Sequence, residues 1–325
     1  MAEKTPPKPK TLKRRFKTFR RALVAELAKA AARLFSLLPF GLTRRLLPPL
    51  LRTLATPILG PKIDLHLQKA YGPAQSPKDR RRIRREVLSN LGLFLAEVLA
   101  NFRGKLPEDY IDDSQARPLF ESLLQEKKGL IFLSAHIVNW EVAGASLAKA
   151  FPDRKVAVFA RRMRQNPRLH AFIETSRKAQ GMEIIYQDES PRRALRVLSQ
   201  GGILGILPDQ DIKEGNGVFL PFFGHDAWTT TGPASLALLS GCPIVCAHLE
   251  RRSEGGLRIS PPQVLHPQAP KASDRKEAAT RLTQAWMAIV EAWIREAPGT
   301  WVWFHDRWRT TPQRLQARRK RPISP

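Results

Sequence analysis

Cysteine is scarce in this sequence: the 325 residues contain two, Cys242 and Cys246, both in one apolar segment. Two thiols cannot build a disulfide framework of the kind that proteins of oxidising compartments use. The spacing CPIVC also lacks the second Cys or His pair that a zinc site requires. We therefore expect buried, unreactive thiols and a protein that works in a reducing compartment.

Acidic residues are also few. Asp and Glu total 29 against 55 Lys and Arg, which gives a net charge of +26 and a pI near 11.0. Residues 1–60 hold 14 basic and two acidic side chains, and residues 307–325 hold seven basic and no acidic ones. Such an excess favours polyanionic neighbours, namely nucleic acid, an anionic membrane surface, or acidic proteins and ligands.

The first twenty residues lack the apolar core and cleavage site of a secretory signal peptide, because they are polar and basic. One long uncharged run does occur, at residues 227–249, and it contains TTTG, two prolines and SGCP. These breakers predict a helix, a turn and a strand rather than a membrane span. The protein is therefore expected on the cytosolic side.

Four segments are expected along the chain. Residues 1–20 are rich in Pro and Lys and are predicted to be a disordered basic tail. Residues 21–60 are predicted to associate with a membrane, because leucines share one face of an amphipathic helix and mostly basic side chains share the other. Packing of that helix on the protein's own core is the alternative. Residues 61–312 are expected to form an α/β domain, and residues 313–325 a basic C-terminal tail.

A second amphipathic helix is predicted to begin at Ser76 and Pro77, with Ser76 as the N-cap and Pro77 in the first helical position. Its first turns read KDRRRIRRE and carry arginines outward. Basic charge opposes the helix dipole at this end, so either an anionic neighbour or plain solvation explains it. The apolar face comprises Ile83, Val87, Leu91, Phe94, Leu95, Val98 and Phe102.

Strands and helices alternate from residue 129 onward. Six short apolar segments are typical of strands: GLIFLS, KVAVFA, GMEIIY, GILGIL, PIVCAHLE and GLRISP. Helical patterns occur between and after them, near residues 141–150, 166–180, 190–200, 231–240 and 273–297. The alternation predicts an α/β fold with a mostly parallel central sheet flanked by helices, preceded by a helical N-terminal region.

Polar clusters follow three of these strands, where open α/β sheets gather ligands: AHIVNWE, ARRMRQNP and PDQDIKEGNG. His136 and Glu141 would diverge by about 140° on one continuous helix. They can meet only if His136 lies in the turn and Glu141 in the first turn of a helix capped by Asn139. Glu141 would then fix the imidazole tautomer, leaving the other nitrogen to accept a proton. A loop histidine and a helix-capping acid are the alternative.

An ordered series of motifs over residues 20–312 resembles the bacterial lipid A late acyltransferases. These enzymes belong to the wider glycerolipid acyltransferase group, which carries His, four residues, then Asp or Glu. The matching motifs are HIVNWE at 136–141, RQNP at 164–167, LPDQD with GVFLPFFG at 207–224, AWTTTGPASLALLSGCPIV at 227–245 and WVWFHDRWRTTP at 301–312.

The resemblance implies a transferase that moves a fatty acyl chain from acyl carrier protein to a hydroxyl of a lipid A precursor. His136 would be the general base and Glu141 its orienting partner, with no metal and no cofactor besides the acyl carrier thioester. Substrate contacts are expected at Asn139, Arg162, Arg177, Asp209, Asp211 and Arg307. The acidic carrier protein and the anionic lipid are the expected partners, at the cytoplasmic face of the inner membrane.

The sequence departs from the family pattern in two places. Val138 stands where many relatives have Gly, and the C-terminal motif reads His305-Asp306-Arg307 in place of His-Arg-Arg. The loop VFLPFFG offers Phe219, Phe222 and Phe223 either as a surface for acyl chains or as core residues.

Three rival functions differ in what they require. A nucleic-acid-binding protein would account for the basic tails, but the sequence has no recognised binding motif, and no nucleic acid partner is expected. A metal hydrolase using His136, Glu141, Asp209 and Asp211 lacks ordinary metal-ligand spacing. A related acyltransferase acting on a glycerolipid or another glycolipid differs only in its acceptor.

Overall fold

The computed structural model describes residues 34–35, 37–125, 128–163, 166–212, 216–268 and 271–319. The predicted disordered tail at 1–20 and residues 21–33 and 36 of the predicted membrane-associating region lie outside the described residues. So do Arg164 and Gln165 of the RQNP motif and the last residues of the C-terminal tail.

The described helices and strands follow the alternation expected from the sequence. The helices are α1 Phe40–Tyr71, α2 Pro77–Asn101, α3 Arg117–Gln125, α4 Trp140–Ala150, α5 Pro167–Ala179, α6 Arg192–Ser199, α7 Gly232–Ser240, α8 Arg275–Glu296 and α9 Pro312–Arg319. The strands are β1 Ile111–Asp112, β2 Leu130–Leu133, β3 Val156–Ala160, β4 Met182–Tyr186, β5 Ile203–Ile206, β6 Gly217–Phe222, β7 His225–Thr230, β8 Ile244–Cys246, β9 Leu249–Arg251, β10 Leu257–Ile259 and β11 Gln263–Leu265.

Helices α1 and α2 pack against each other along the N-terminal side of the molecule. The α1 helix runs through four internal prolines, at positions 48, 49, 57 and 61, and crosses the predicted domain boundary at residue 60. The division into 21–60 and 61–312 thus stays a prediction. Among the described helices, none is both long enough and apolar enough to cross a bilayer. Ser76 caps α2 as predicted, because its side-chain oxygen accepts the Asp79 N–H.

The two helices touch backbone to backbone at Gly92. A Cβ placed there would lie 2.5 Å from the Pro48 Cα, far inside van der Waals contact. We expect Gly92→Ala to lower the free energy of unfolding by about 1–3 kcal/mol, because the helices must move apart to admit the methyl group. Urea denaturation measures this. Gly41→Ala, also helical but with nothing within 4 Å of the added carbon, is the control expected to cost nothing. Equal unfolding free energies for both variants would contradict the close crossing.

The central sheet has six strands in the order β11-β8-β2-β5-β3-β4. The strands from β8 to β4 are parallel neighbours, and β11 joins the edge antiparallel to β8. A separate sheet, β1-β10-β9, has one parallel and one antiparallel pair, and β6 and β7 form an antiparallel hairpin. The prediction of an α/β fold is confirmed, whereas the sheet structure is mixed rather than mostly parallel.

The segment PIVCAHLE is two strands, although it was predicted as one. Its first half forms β8 in the central sheet, and its second half forms β9 in the three-stranded sheet. The chain changes sheets at His248, whose backbone N–H donates to Ser260 Oγ. The two cysteines are buried and free as expected, and burial raises the pKa of Cys246 to about 12.

Helices cover the central sheet, so that all four residues of β2 are buried. The α4 helix contacts β3 and β4, α6 contacts β3 and β5, and α7 contacts β2. Five tryptophans from α8 and the segment that follows it are buried in the core: Trp286, Trp293, Trp301, Trp303 and Trp308. Phe222 and Phe223 are buried among them, so the core interpretation of the VFLPFFG phenylalanines holds for these two.

Candidate active site

His136 and Asp209 lie in loops that leave the same edge of the central sheet. His136 follows β2 and Asp209 follows β5, and these strands are parallel neighbours with Leu133 paired to Ile206. The carboxyl ends of neighbouring parallel strands meet at one edge, which places the two loops side by side. Residues 73 positions apart in the chain are thereby brought into contact.

The Asp209 carboxylate holds His136 through two hydrogen bonds. His136 Nδ1 lies 2.7 Å from Asp209 Oδ1, and the His136 backbone N–H donates to Oδ2 at 3.1 Å. Trp301 Nε1 donates to the same Oδ2 at 2.8 Å. Three donors on a fully buried carboxylate fix the position of both the side chain and the loop that carries the imidazole.

Asp209 is ionised despite its burial. Burial alone would raise its pKa, but the positive charge that His136 can carry and the hydrogen bonds from His136 and Trp301 outweigh it and lower the pKa to about 2. An ionised carboxylate only accepts hydrogen bonds, so the proton between the two groups belongs to His136 Nδ1. Nε2 of the neutral ring is then the basic nitrogen.

The His136 ring is reachable at its other side. Its side chain is 19% exposed, and no hydrogen bond among the described residues uses Nε2. Trp140 packs edge-on against the ring with centroids 4.7 Å apart, and Phe94 packs on Trp140 at 4.4 Å. Nε2 therefore has room to accept a proton beside an apolar, aromatic surface.

Glu141 is not the hydrogen-bond partner of His136, which corrects the predicted pairing. It forms a bidentate ion pair with Arg177 of α5, with Nε to Oε2 at 3.0 Å and Nη2 to Oε1 at 2.5 Å. The first turn of α4 directs this carboxylate toward α5, whereas the β5 loop supplies the carboxylate that binds His136. The catalytic contribution of Glu141 and the substrate contact of Arg177 stay predictions, but the two residues now act as one unit.

Asn139 is the N-cap of α4, as predicted, because Oδ1 accepts the Val142 N–H at 3.2 Å. Its amide nitrogen donates to Phe94 O and to Glu97 Oε2. The side chain is fully buried, and the predicted substrate contact at Asn139 stays a prediction. In the structure, Asn139 ties the loop that carries His136 to α2.

The residue directly before Asn139 has an unusual backbone conformation. Val138 lies in the left-handed region with φ at 51°, which is strained for a β-branched side chain. Its N–H donates to Thr300 O, and neighbouring Ile137 forms a backbone bridge with Trp301. The loop therefore adopts a conformation that suits glycine, and the C-terminal segment holds it there.

Two further predicted substrate contacts, Asp211 and Arg307, are buried and belong to the interior. Asp211 accepts hydrogen bonds from Arg309 and from the backbone N–H and hydroxyl of Thr310. Arg307 is fully buried and donates to Trp228 O at 2.7 Å and to Thr229 Oγ1. Burial lowers the Arg307 pKa to about 10. Both side chains fasten the C-terminal segment to the domain, and the predicted substrate contacts at these two residues stay predictions.

Arg162 lies after β3 on the surface. It pairs with Asp188 and Glu189 at 3.2 and 2.9 Å, and its guanidinium carbon lies 3.7 Å from the centre of the Tyr186 ring. Its side chain is 40% exposed, so these ion pairs are weak enough to exchange for another anion. Its substrate contact stays a prediction.

Sequence reasoning missed Trp301 and His305 as site residues. His305 Nε2 accepts the Asp211 N–H at 3.0 Å, which places the proton of the neutral ring on Nδ1. Burial lowers the His305 pKa to about 4, so the ring stays neutral near pH 7. The signal was the motif WVWFHDRW, but no spacing in the sequence shows that it folds back onto the β5 loop.

The described residues contain no cluster of three or more His, Cys, Asp or Glu side chains that could hold a metal ion. The site as described contains an imidazole with one free nitrogen, a buried carboxylate that holds it, and the Glu141–Arg177 pair. This arrangement can remove a proton from a hydroxyl and balance the charge that develops on the ring.

Comparisons with known proteins agree with this chemistry. The family model described as bacterial lipid A biosynthesis acyltransferase matches residues 11–310. The chain is 25% identical to the lipid A biosynthesis lauroyltransferase of Escherichia coli (strain K12) over 259 residues, 76% of this chain and 78% of the relative. It is 23% identical to the palmitoleoyltransferase of that strain over 252 residues, 74% and 76% of the two chains.

A relative that matches over a shorter stretch has a different acceptor in its name. The phosphatidylinositol mannoside acyltransferase of Mycolicibacterium smegmatis is 24% identical over 192 residues, 58% of this chain and 59% of the relative. All three relatives are acyltransferases by name. Because the family match covers nearly the whole chain and includes His136, Asp209 and Trp301, the chain belongs to the bacterial lipid A biosynthesis acyltransferase family.

Proposed function

We propose that this acyltransferase moves a fatty acyl chain from an acyl carrier protein thioester to a hydroxyl of a lipid A precursor of the Kdo2-lipid IVA type. The observation that carries the proposal is the His136–Asp209 hydrogen bond of 2.7 Å, which leaves Nε2 free to act as a base. The names of the E. coli relatives support the lipid A precursor as acceptor.

The reaction needs one proton to move twice. His136 Nε2 takes the proton of the acceptor hydroxyl as its oxygen attacks the thioester carbonyl carbon. The tetrahedral intermediate collapses with cleavage of the carbon–sulfur bond, and the imidazolium returns the proton to the departing carrier thiolate. The products are an ester and a free carrier thiol, and no covalent enzyme intermediate, metal or cofactor is required.

Asp209 and Glu141 have separate parts in this mechanism. Asp209 keeps the proton on Nδ1 and stabilises the imidazolium, while Trp301 fixes Asp209. Glu141 acts through Arg177, because its two oxygens hold the guanidinium in one orientation next to the catalytic loop. The Arg177 guanidinium is well suited to bind an anionic substrate group, which would either replace the Glu141 carboxylate or contact the guanidinium beside it.

The charge of the protein fits both proposed substrates. Acyl carrier protein is acidic, and a lipid A precursor carries phosphates and carboxylates, so a net charge of +26 attracts both. Because the acceptor stays in the bilayer, we place the enzyme at the cytoplasmic face of the inner membrane.

The test is direct transfer by purified protein. Kdo2-lipid IVA is incubated with a panel of acyl carrier protein thioesters, and the lipid is analysed by mass spectrometry for the added acyl mass. A phosphatidylinositol mannoside and a diacylglycerol lipid serve as rival acceptors, the former because of the mycobacterial relative. Acylation of a rival acceptor alone would reject the lipid A precursor, and the absence of any acyl product would reject the reaction.

A further inference from the structure

A groove between α1 and α2, whose lining does not include His136, combines basic and apolar walls. Its volume is about 600 Å³. Three arginines of α2, Arg80, Arg81 and Arg84, face two apolar residues of α1, Pro61 and Leu65. Asp64, Gln68 and Pro77 complete the lining. The groove therefore contains three guanidinium groups against one carboxylate.

Two of the three arginines are already engaged, and one is not. Arg84 pairs with Asp64, and Arg80 donates to Gln75 O at 2.6 Å. Arg81 is exposed and has no side-chain partner among the described residues. The same holds for Arg85, one turn further along α2. The groove thus presents unneutralised positive charge at the surface.

An apolar stripe on α1 leads directly into this groove. We define the α1 stripe as Leu46, Leu54, Pro57, Ile58, Pro61 and Leu65. At 100° per residue these positions fall within about 120° of the helix surface, and they extend about 28 Å along its axis. Leu54, Ile58 and Leu65 are 60%, 71% and 63% exposed. Single exposed apolar residues are ordinary at a protein surface, whereas a contiguous exposed apolar patch indicates an interaction site. Since Pro61 and Leu65 also line the groove, the apolar and basic surfaces are continuous.

We propose that the groove binds the phosphate of an anionic membrane phospholipid while the α1 stripe lies among the acyl chains of the same leaflet. A free phosphate would use the arginines alone and would leave the stripe without a role. A lipid surface uses both, because guanidinium groups bind phosphate bidentately and apolar side chains at the interface bury area in the acyl region. The inference rests on the proposed function only in placing the enzyme at a membrane, and it is measured without acyl transfer.

Vesicle co-sedimentation of the full chain tests the proposal. Vesicles of phosphatidylcholine alone are compared with an equal mixture of phosphatidylcholine and phosphatidylglycerol. We expect Arg81→Gln to weaken binding to the mixed vesicles about fivefold, which is what one basic side chain contributes at an anionic surface, and to leave binding to phosphatidylcholine unchanged. The double variant Leu54→Gln with Ile58→Gln should weaken binding to both vesicles by about tenfold or more.

Arg196→Gln is the matched control. Arg196 is an exposed residue of α6, outside the groove, and the substitution removes the same charge. Equal effects of Arg81→Gln and Arg196→Gln would overturn the headgroup site, since general attraction would then explain the binding. Undiminished binding by the double variant would overturn the role of the stripe. Displacement of the protein from mixed vesicles by inorganic phosphate at constant ionic strength would assign the groove to soluble phosphate instead.

A further arm separates the groove from the substrates. If Arg81→Gln weakens binding of acyl carrier protein but not of vesicles, the groove belongs to the carrier and the lipid assignment is wrong. Transfer to a detergent-dispersed acceptor should be unchanged in Arg81→Gln. Binding to anionic vesicles without acyl transfer would reject the proposed function and leave the groove assignment intact. Acyl transfer without a preference for anionic vesicles would reject the groove assignment and leave the proposed function intact.

Discussion

His136→Ala is expected to lower kcat/KM for acyl transfer by about 100-fold to 10,000-fold, the range that a general base contributes. The variant lacks the ring nitrogen that accepts the proton, so the acceptor hydroxyl must lose its proton to water. Steady-state transfer to the lipid A precursor measures the loss, and urea denaturation shows whether the variant is folded.

A second histidine provides the control for that experiment. His266 follows β11, far along the chain from the catalytic loop, and His266→Ala should retain full activity. If His136→Ala keeps more than about a tenth of the wild-type rate, His136 is not the base, because even a modest general base contributes more than that.

Asp209→Asn is expected to cost about 100-fold or more in kcat with little change in KM. An amide cannot balance the charge of an imidazolium, and its NH2 group can donate to Nδ1 and stabilise the unproductive tautomer.

The competing assignment, in which Glu141 orients His136, predicts that Glu141→Gln loses more kcat than Asp209→Asn. Glu141→Gln, measured in the same assay, should raise KM through Arg177 more than it lowers kcat. A larger loss of kcat in Glu141→Gln than in Asp209→Asn would restore Glu141 as the partner.

The difference in free energy of unfolding between wild type and Asp209→Asn should decrease as the pH falls. The folded pKa of Asp209, about 2, lies below its usual value of 3.8. Such a carboxylate stabilises the fold fully above its unfolded pKa, and that stabilisation is lost as the pH falls through the folded value. The advantage of wild type over Asp209→Asn should therefore shrink by about 2 kcal/mol between pH 5 and pH 2. A difference that stays constant over this interval would show that Asp209 is not held ionised by His136.

Much of the fold was predictable because local patterns and global structure agree. The strands after residue 129 are short apolar runs between turn residues, and the helix starting at Ser76 carries its own cap. The pattern was misleading where the chain changes sheets, as at His248, because a continuous apolar run gives no sign of which sheet each half joins. The α1 helix continues through its prolines because packing on α2 outweighs the lost hydrogen bonds, and sequence rules cannot weigh that term.

The sequence predicted which residues form the site better than it predicted which of them contact each other. His136 was identified because it follows a strand, and Asn139 because caps have a local signature. The partner of His136 could not be read from spacing, since Asp209 reaches it through the pairing of β2 with β5. The resemblance predicts substrate contacts at Arg307 and Asp211, but no motif shows that both side chains are buried.

The hydrogen bond from Trp301 to Asp209 cannot form until Trp301 has been synthesised. His136, Asp209 and Trp301 are separated by 73 and 92 residues along the chain. On the ribosome, α1 and α2 emerge long before Trp301 does. The growing chain thus contains α1 and α2 before the site is complete, and a product terminated between Asp209 and Trp301 would lack the hydrogen bond that fixes Asp209.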